Sequence, residues 1–175
     1  DYGRSGNPTR DQLGNALADL EGGAGGIITS TGMSAIALVL HALVKPGDRV
    51  LIPHDCYGGT WRLFTALGER GSFELEVVDF TDAEAARIAL ARAARLVWVE
   101  TPSNPLLRIT NISEVAEAAK GVGALVVADN TFLSPALQRP IEHGADVVIH
   151  STTKFINGHS DVVGGAVIAA DAAVL

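Results

Sequence analysis

The sequence predicts an α/β protein built on a mostly parallel, doubly wound sheet. Two observations carry this. Short apolar runs alternate with helix-like segments along the chain, the pattern that gives parallel strands joined by crossover helices. Polar residues gather just after those runs, where the ligands of such sheets sit. The size agrees: 175 residues, 47% hydrophobic and 19% charged, are enough for one domain with a sizeable core.

The elements follow in order. Asn7-Pro8 opens a helix, with Asn as the cap and Pro in the first turn. Leu13, Leu17 and Leu20 are expected to form its apolar face, and Gly22-Gly23 stops it. A second helix runs from about Met33 to Val44 and ends at "KPGD". "RVLIP" (Arg49 to Pro53) reads as a short buried strand, "TWRLFTALGERG" as a helix and "FELEVVDF" as a strand. Ala83 to Ala94 is an alanine-rich helix, and "RLVWVE" a strand. Ile112 to Lys120 is a helix with Asn111 near its cap, and "ALVVAD" a strand. "DVVIHS" and "GGAVIAA" complete the strands. There is no internal repeat, low-complexity segment or linker.

Composition excludes several functions. A net charge of -7 argues against nucleic-acid binding, which needs a basic face. No apolar run is long enough to span a membrane, and no signal peptide is visible. The single cysteine, Cys56, rules out an internal disulfide and fits a reducing compartment such as the cytoplasm. His54, His150 and His159 fall near the strand-end rim but lack metal-ligand spacing, so no metal is expected. Cys56 reads as packing, Asp161 as a loop anchor and Glu100 as an orienter of its neighbours. The chain begins at Asp1, and Tyr2 to Thr9 reads as the middle of a protein.

The strand ends carry the chemistry. His54 to Thr60 follows the first of these strands, with Tyr57 inside. Thr101 to Pro105 follows another, with Asn104 inside. Asp129-Asn130-Thr131 and Ser151-Thr152-Thr153-Lys154 follow two more, and "STGMSA" (Ser30 to Ala35) opens a helix. Singly each is ordinary; together they suit pyridoxal 5'-phosphate. A phosphate needs open amides and hydroxyls, offered by Gly32, Met33, Ser151 and Thr153. A pyridine nitrogen needs a carboxylate to stay protonated, offered by Asp129 with Thr131 beside it. A flat ring needs a stacking face, offered by Tyr57. An aldehyde needs an amine, offered by Lys154. Burial and a neighbouring pyridinium are expected to favour the neutral, nucleophilic amine.

Six stretches in order, "YGRSGNPTR", "STGMSA", "HDCYGGT", "ETPSNPLL", "ADNTFLSPALQRP" and "HSTTKFINGHSDVVGG", resemble the cysteine and methionine metabolism family of pyridoxal-phosphate enzymes. They cover the chain from end to end. The resemblance implies the large domain of the aspartate-aminotransferase-like fold, fold type I, without the family's N-terminal segment and C-terminal domain. It implies cofactor roles for Gly32, Met33, Asp129, Thr131, Ser151, Thr153 and Lys154, with Lys154 and Tyr57 also catalytic. It adds Tyr2 and Arg4, which in the family reach a neighbouring subunit's phosphate. It therefore implies a homodimer with shared sites, assembled as a dimer of dimers. It places Asn104 beside the substrate and Arg62 at the mouth, toward a substrate carboxylate.

The implied activity is that of the bacterial members that join an O-acyl-homoserine to cysteine, forming cystathionine. Lyase and sulfhydrylase activities are alternatives within the family, and a non-catalytic fragment is an alternative outside it. Two departures bear on the choice. Gly59 stands where methionine gamma-lyases carry cysteine, and Ser5 where some synthases carry a second arginine for a succinyl group.

Overall fold

The computed structural model describes residues 2–174. Its helices begin where the sequence supplies caps. Asn7 accepts the amide of Arg10 and Pro8 occupies the first turn of α1 (Pro8–Glu21), which Gly22 ends at a φ of 76°. α2 (Gly32–Leu43) opens on a reciprocal capping box: Thr31 Oγ1 accepts the Ser34 amide and Ser34 Oγ accepts the Thr31 amide. α3 (Gly58–Glu69) starts directly after Tyr57 without a side-chain cap. Asp82 and Asn111 cap α4 (Ala83–Leu90) and α5 (Ile112–Gly121). A single turn, α6 (Ser134–Leu137), follows later.

Seven strands form one sheet: β1 (Gly25–Thr29), β2 (Arg49–Pro53), β3 (Glu74–Val78), β4 (Leu96–Glu100), β5 (Leu125–Asp129), β6 (Val147–His150) and β7 (Gly165–Ala169). Their order is β1-β7-β6-β5-β4-β2-β3. β3, β2, β4, β5 and β6 run parallel, whereas β7 lies antiparallel to β6 and β1 antiparallel to β7. The sheet is thus mostly parallel, as expected. β1 was not anticipated, because the two glycines in "GGIIT" weaken a strand pattern. Packing explains them: a Cβ on Gly26 would collide with the backbone of Gly14 in α1, and one on Gly14 with Gly26.

The pleat sorts the core into two layers. Val50, Ile52, Trp98, Val127 and Ile149 face α2 and α3, meeting Ile36, Val39, Leu40 and Phe64. Leu51, Val97, Val99, Val126 and Ala128 face the other way, toward Leu90, Val115 and Ala119 of α4 and α5. α1 covers β6 and β7 through Leu17 and Ala18. Its expected Leu13–Leu17–Leu20 face is not the one buried. Leu13 and Leu20 are exposed, and the inward positions are Gly14, Leu17, Ala18 and Glu21. The buried stripe steps by three and four residues through small side chains that a search for leucines passes over.

This contrast is measurable. Leu17→Ala should cost about 2–5 kcal/mol of unfolding free energy, the usual range for a buried leucine. Leu13→Ala should cost far less. Thermal or urea unfolding of the two variants checks the assignment of the buried face.

Candidate active site

A cavity of about 760 Å³ opens beyond the carboxyl ends of β4, β5 and β6, against the start of α2. The crossover topology places it there, because each parallel strand delivers its following polar residue to the same rim. Gly32, Met33, Tyr57, Asn104, Asp129 and Thr131 line it. So do Ser151, Thr153 and Lys154. Nine of the residues singled out in the sequence, from five separate segments, are therefore brought together.

One side of the cavity is built for an anion. The first turn of a helix leaves its amides without intrahelical partners. Thr31 occupies that of Ser34, while Gly32 and Met33 stand in the cavity wall. Gly32 lies so close to Ser151 that an added Cβ would be 2.7 Å from the serine Cβ. Thr131 Oγ1 accepts the Ser151 amide at 2.8 Å, joining the loops after β5 and β6. Thr153 is already engaged: its hydroxyl donates to the Gly164 carbonyl at 3.2 Å and accepts the Gly164 amide at 3.1 Å.

The opposite side is acidic. Asp129 ends β5, and one oxygen accepts the Thr131 amide at 3.0 Å. Burial raises its pKa, against the opposing effect of the Thr131 hydrogen bonds. Glu100 ends β4 directly opposite Asp129 in the sheet register. Its two oxygens accept the amides of Tyr57 at 2.8 Å and Asn104 at 3.0 Å. Glu100 thereby fastens two loops that carry cavity residues, which confirms its reading as an orienter. Burial first, and the Asp129 charge second, push its pKa up to about 8.

Lys154 stands in a short turn, its amide bonded to the Ser151 carbonyl and its own carbonyl accepting the Gly158 amide. The expected burial of this lysine is not observed; the side chain is exposed in the open cavity. The Tyr57 ring packs over Gly59, where a Cβ would collide with it and approach Met33 Sδ to 2.9 Å. Phe132 and Phe155, which the sequence reading passed over, add an apolar edge-to-face pair at 6.0 Å to the wall.

Three other site residues lie elsewhere. Arg62 is exposed on α3 beside Gly58 and does not line the cavity. Tyr2 and Arg4 precede α1 and are exposed, with the guanidinium 4.8 Å from the tyrosine ring centroid. Cys56 is buried, and burial, followed by the charges of Glu100 and Asp55, pushes its thiol up to about 12. Asp161 accepts from the Asn157 side chain at 2.8 Å, as a loop anchor should. His150 is not at the rim but fully buried, 2.6 Å from Glu21. Among the described residues, no cluster of three metal-ligating side chains is found, and no helix is long and apolar enough to cross a membrane.

The family model described as Cys/Met metabolism PLP-dependent enzyme matches residues 1–175. The chain belongs to this family. It is 58% identical over 171 residues to the cystathionine gamma-synthase of Escherichia coli (strain K12), covering 98% of this chain and 44% of that protein. A crystal structure of cystathionine gamma synthase from Xanthomonas oryzae pv. oryzae in complex with cystathionine superposes with a TM-score of 0.98. It shares 67% identity and covers 99% of this chain and 45% of its own. A cystathionine gamma lyase from Micromonospora echinospora superposes at 0.93 with 46% identity, covering 99% of this chain and 46% of its own. The chain thus spans less than half the length of these relatives.

Glu100 gives the site a pH signature. Its pKa rises from the ordinary 4.5 to about 8 on folding, so the folded state holds the proton more tightly. Its contribution to stability is full below 4.5 and declines as pH rises through about 8. In cofactor-free protein, Glu100→Gln should flatten the loss of stability between those limits, whatever its constant offset. Parallel pH profiles for wild type and variant, measured by urea unfolding, would refute this.

Proposed function

We propose that this chain is the cofactor-binding portion of a pyridoxal-phosphate enzyme that forms cystathionine from an O-acyl-homoserine and cysteine. The observation that carries the reading is the convergence, in one cavity, of an amine, a recessed carboxylate, an aromatic ring and open helix amides. The identity to gamma-synthases, one of them solved with cystathionine bound, supports the choice of reaction.

The residues present fit the cofactor. Asp129 is a recessed carboxylate whose pKa burial raises, and a protonated ring nitrogen beside it would favour its charged form. Gly32, Met33 and Ser151 make a cradle at the N-terminal end of α2, where the helix dipole favours a dianion. Thr153 would have to give up its bond to the Gly164 carbonyl in order to donate there. Tyr57 offers the stacking face.

When bound, pyridoxal phosphate supplies an aldehyde for the substrate amine and a ring that withdraws electrons from the substrate carbons. The protein supplies the remainder. Lys154 Nζ would hold the aldehyde and would be freed by the incoming substrate amine. The freed Nζ then takes and returns protons at the substrate carbons. Asp129 would keep the ring nitrogen protonated. Asn104, whose amide is fixed by Glu100, orients the cofactor and substrate. The gamma-substituent leaves and the cysteine sulfur adds. A lyase would use the same groups and end with water. Tyr2 and Arg4 complete the phosphate site of a second copy, so the assembled enzyme is a homodimer, itself paired into a dimer of dimers, acting in the cytoplasm.

The intact protein should take up pyridoxal phosphate with visible absorbance, and Lys154→Ala should abolish the covalent attachment. Supplied with O-acyl-homoserine and cysteine it should release cystathionine. If cystathionine is instead consumed and none is formed, the lyase reading replaces this one.

Sharing of sites has its own test. Mixed dimers of Arg4→Ala and Lys154→Ala subunits place both defects in one site and none in the other. Activity should return on mixing. Verified subunit exchange without recovered activity would leave Arg4 outside the site.

A further inference from the structure

A buried polar network behind the cavity plays no part in the chemistry above. Glu21, the last residue of α1, and His150, the last residue of β6, are both 0% exposed, and His150 Nε2 lies 2.6 Å from Glu21 Oε1. Asn130, also 0% exposed, donates from Nδ2 to the same Oε1 at 2.8 Å and to the Gln138 carbonyl at 2.8 Å. Gln138 Nε2 in turn donates to Asn130 Oδ1 at 3.1 Å and to the Thr101 carbonyl at 3.0 Å. Glu21 Oε1 is thus the point at which the Asn130 side-chain amide and the His150 ring meet.

Such a network is a poor way to gain stability. Burying a carboxylate is costly even when it is paired, and well-packed apolar side chains usually do better. Here the cost is not fully offset: Glu21 Oε2 and His150 Nδ1 have no hydrogen-bond partner among the described residues. What the network does accomplish is placement. Asn130 sits between Asp129 and Thr131, and His150 immediately precedes Ser151. The Asn130 amide donates to the Ile149 carbonyl at 3.0 Å, and the Ser151 amide to Thr131 Oγ1 at 2.8 Å. Asp129, Thr131 and Ser151 are therefore each one peptide away from a group anchored to α1. Polar side chains supply direction that apolar contacts lack, since a hydrogen bond fixes both distance and angle.

We propose that Glu21, acting through His150 and Asn130, is a positioning residue that aims Asp129, Thr131 and Ser151 at the cofactor. This rests on the pyridoxal-phosphate reading above. It differs from a purely structural role, which would lower melting temperature without changing cofactor affinity in protein that is still folded.

The test uses intact enzyme stripped of cofactor and titrated with pyridoxal phosphate at a temperature where circular dichroism shows every variant folded. Glu21→Ala, which removes the shared acceptor, should weaken binding about tenfold or more, as the loss of hydrogen bonds to a charged group would. Glu21→Gln keeps an acceptor oxygen in place and should remain within about threefold of wild type. A folded Glu21→Ala with wild-type affinity, or a Glu21→Gln as weak as Glu21→Ala, overturns the inference. If Glu21→Ala does not fold, Glu21→Leu decides: it fills the buried space without supplying an acceptor and should weaken binding to the same degree, and unchanged affinity overturns the inference. Wild-type protein that takes up no pyridoxal phosphate overturns the cofactor reading and this inference together, whereas the other failures leave the cofactor reading standing.

Discussion

The site depends on the register of three neighbouring parallel strands. Glu100 of β4 stands opposite Asp129 of β5, and Asp129 opposite Ile149 of β6. Side chains alternate faces along a strand, so a slip of one residue would exchange the two core layers. Trp98, Val127 and Ile149 would turn away from α2 and α3, and Val97, Val126 and Val148 would turn toward them. The packing of both faces thus fixes where each strand ends, and the strand ends fix the cavity. Asp129 reaches the cavity because Val126, Val127 and Ala128 leave no freedom to its position.

The anion side depends on a different constraint, the close approach of α2 to the ends of β6 and β7. Gly32 is pressed against Ser151, and a Cβ on Gly165 would collide with the Thr31 carbonyl and lie 2.5 Å from Thr29 Oγ1. β1 delivers the chain to this place by pairing antiparallel with β7, Thr29 opposite Gly165. The capping box then sets the helix start at Gly32. A larger residue at either glycine would separate the helix amides from the Ser151 hydroxyl. The acidic and anion-binding sides are therefore held apart by backbone packing, and the distance between them is a property of the sheet and not of flexible side chains.

Much of this was legible in the sequence, and the exceptions have physical causes. Continuous apolar runs such as "RLVWVE" and "ALVVAD" mark buried strands, and the groups after them were found by topology alone. The buried face of α1 was misjudged because small residues, Gly14 and Ala18, make the contact while Leu13 and Leu20 stay outside. β1 escaped notice because its glycines serve a helix contact that only the folded chain reveals. The Glu21–His150 pair spans 129 residues of sequence, and no local pattern announces it. His150 looked like a rim residue because it ends a strand; its burial follows from α1 covering that end. Lys154 was expected to be buried, but the turn that holds it opens onto the cavity.

The same geometry limits where specificity can reside. A gamma-synthase and a gamma lyase both superpose on this chain with TM-scores above 0.9, so its backbone does not separate forming cystathionine from cleaving it. In the proposed chemistry, Asp129, Lys154 and the helix amides would serve steps common to both reactions. Discrimination falls to groups that meet the far end of the substrate, where the departing substituent or the incoming sulfur lies. On this chain the first turn of α3 begins beside the cavity, directly after Tyr57. Gly58 and Gly59 keep it narrow, letting the Tyr57 ring lie back against Met33 while Arg62 stays outside the wall. A side chain at position 59 would collide with that ring and displace it. The choice of glycine there is therefore a choice about how the Tyr57 ring sits in the cavity wall.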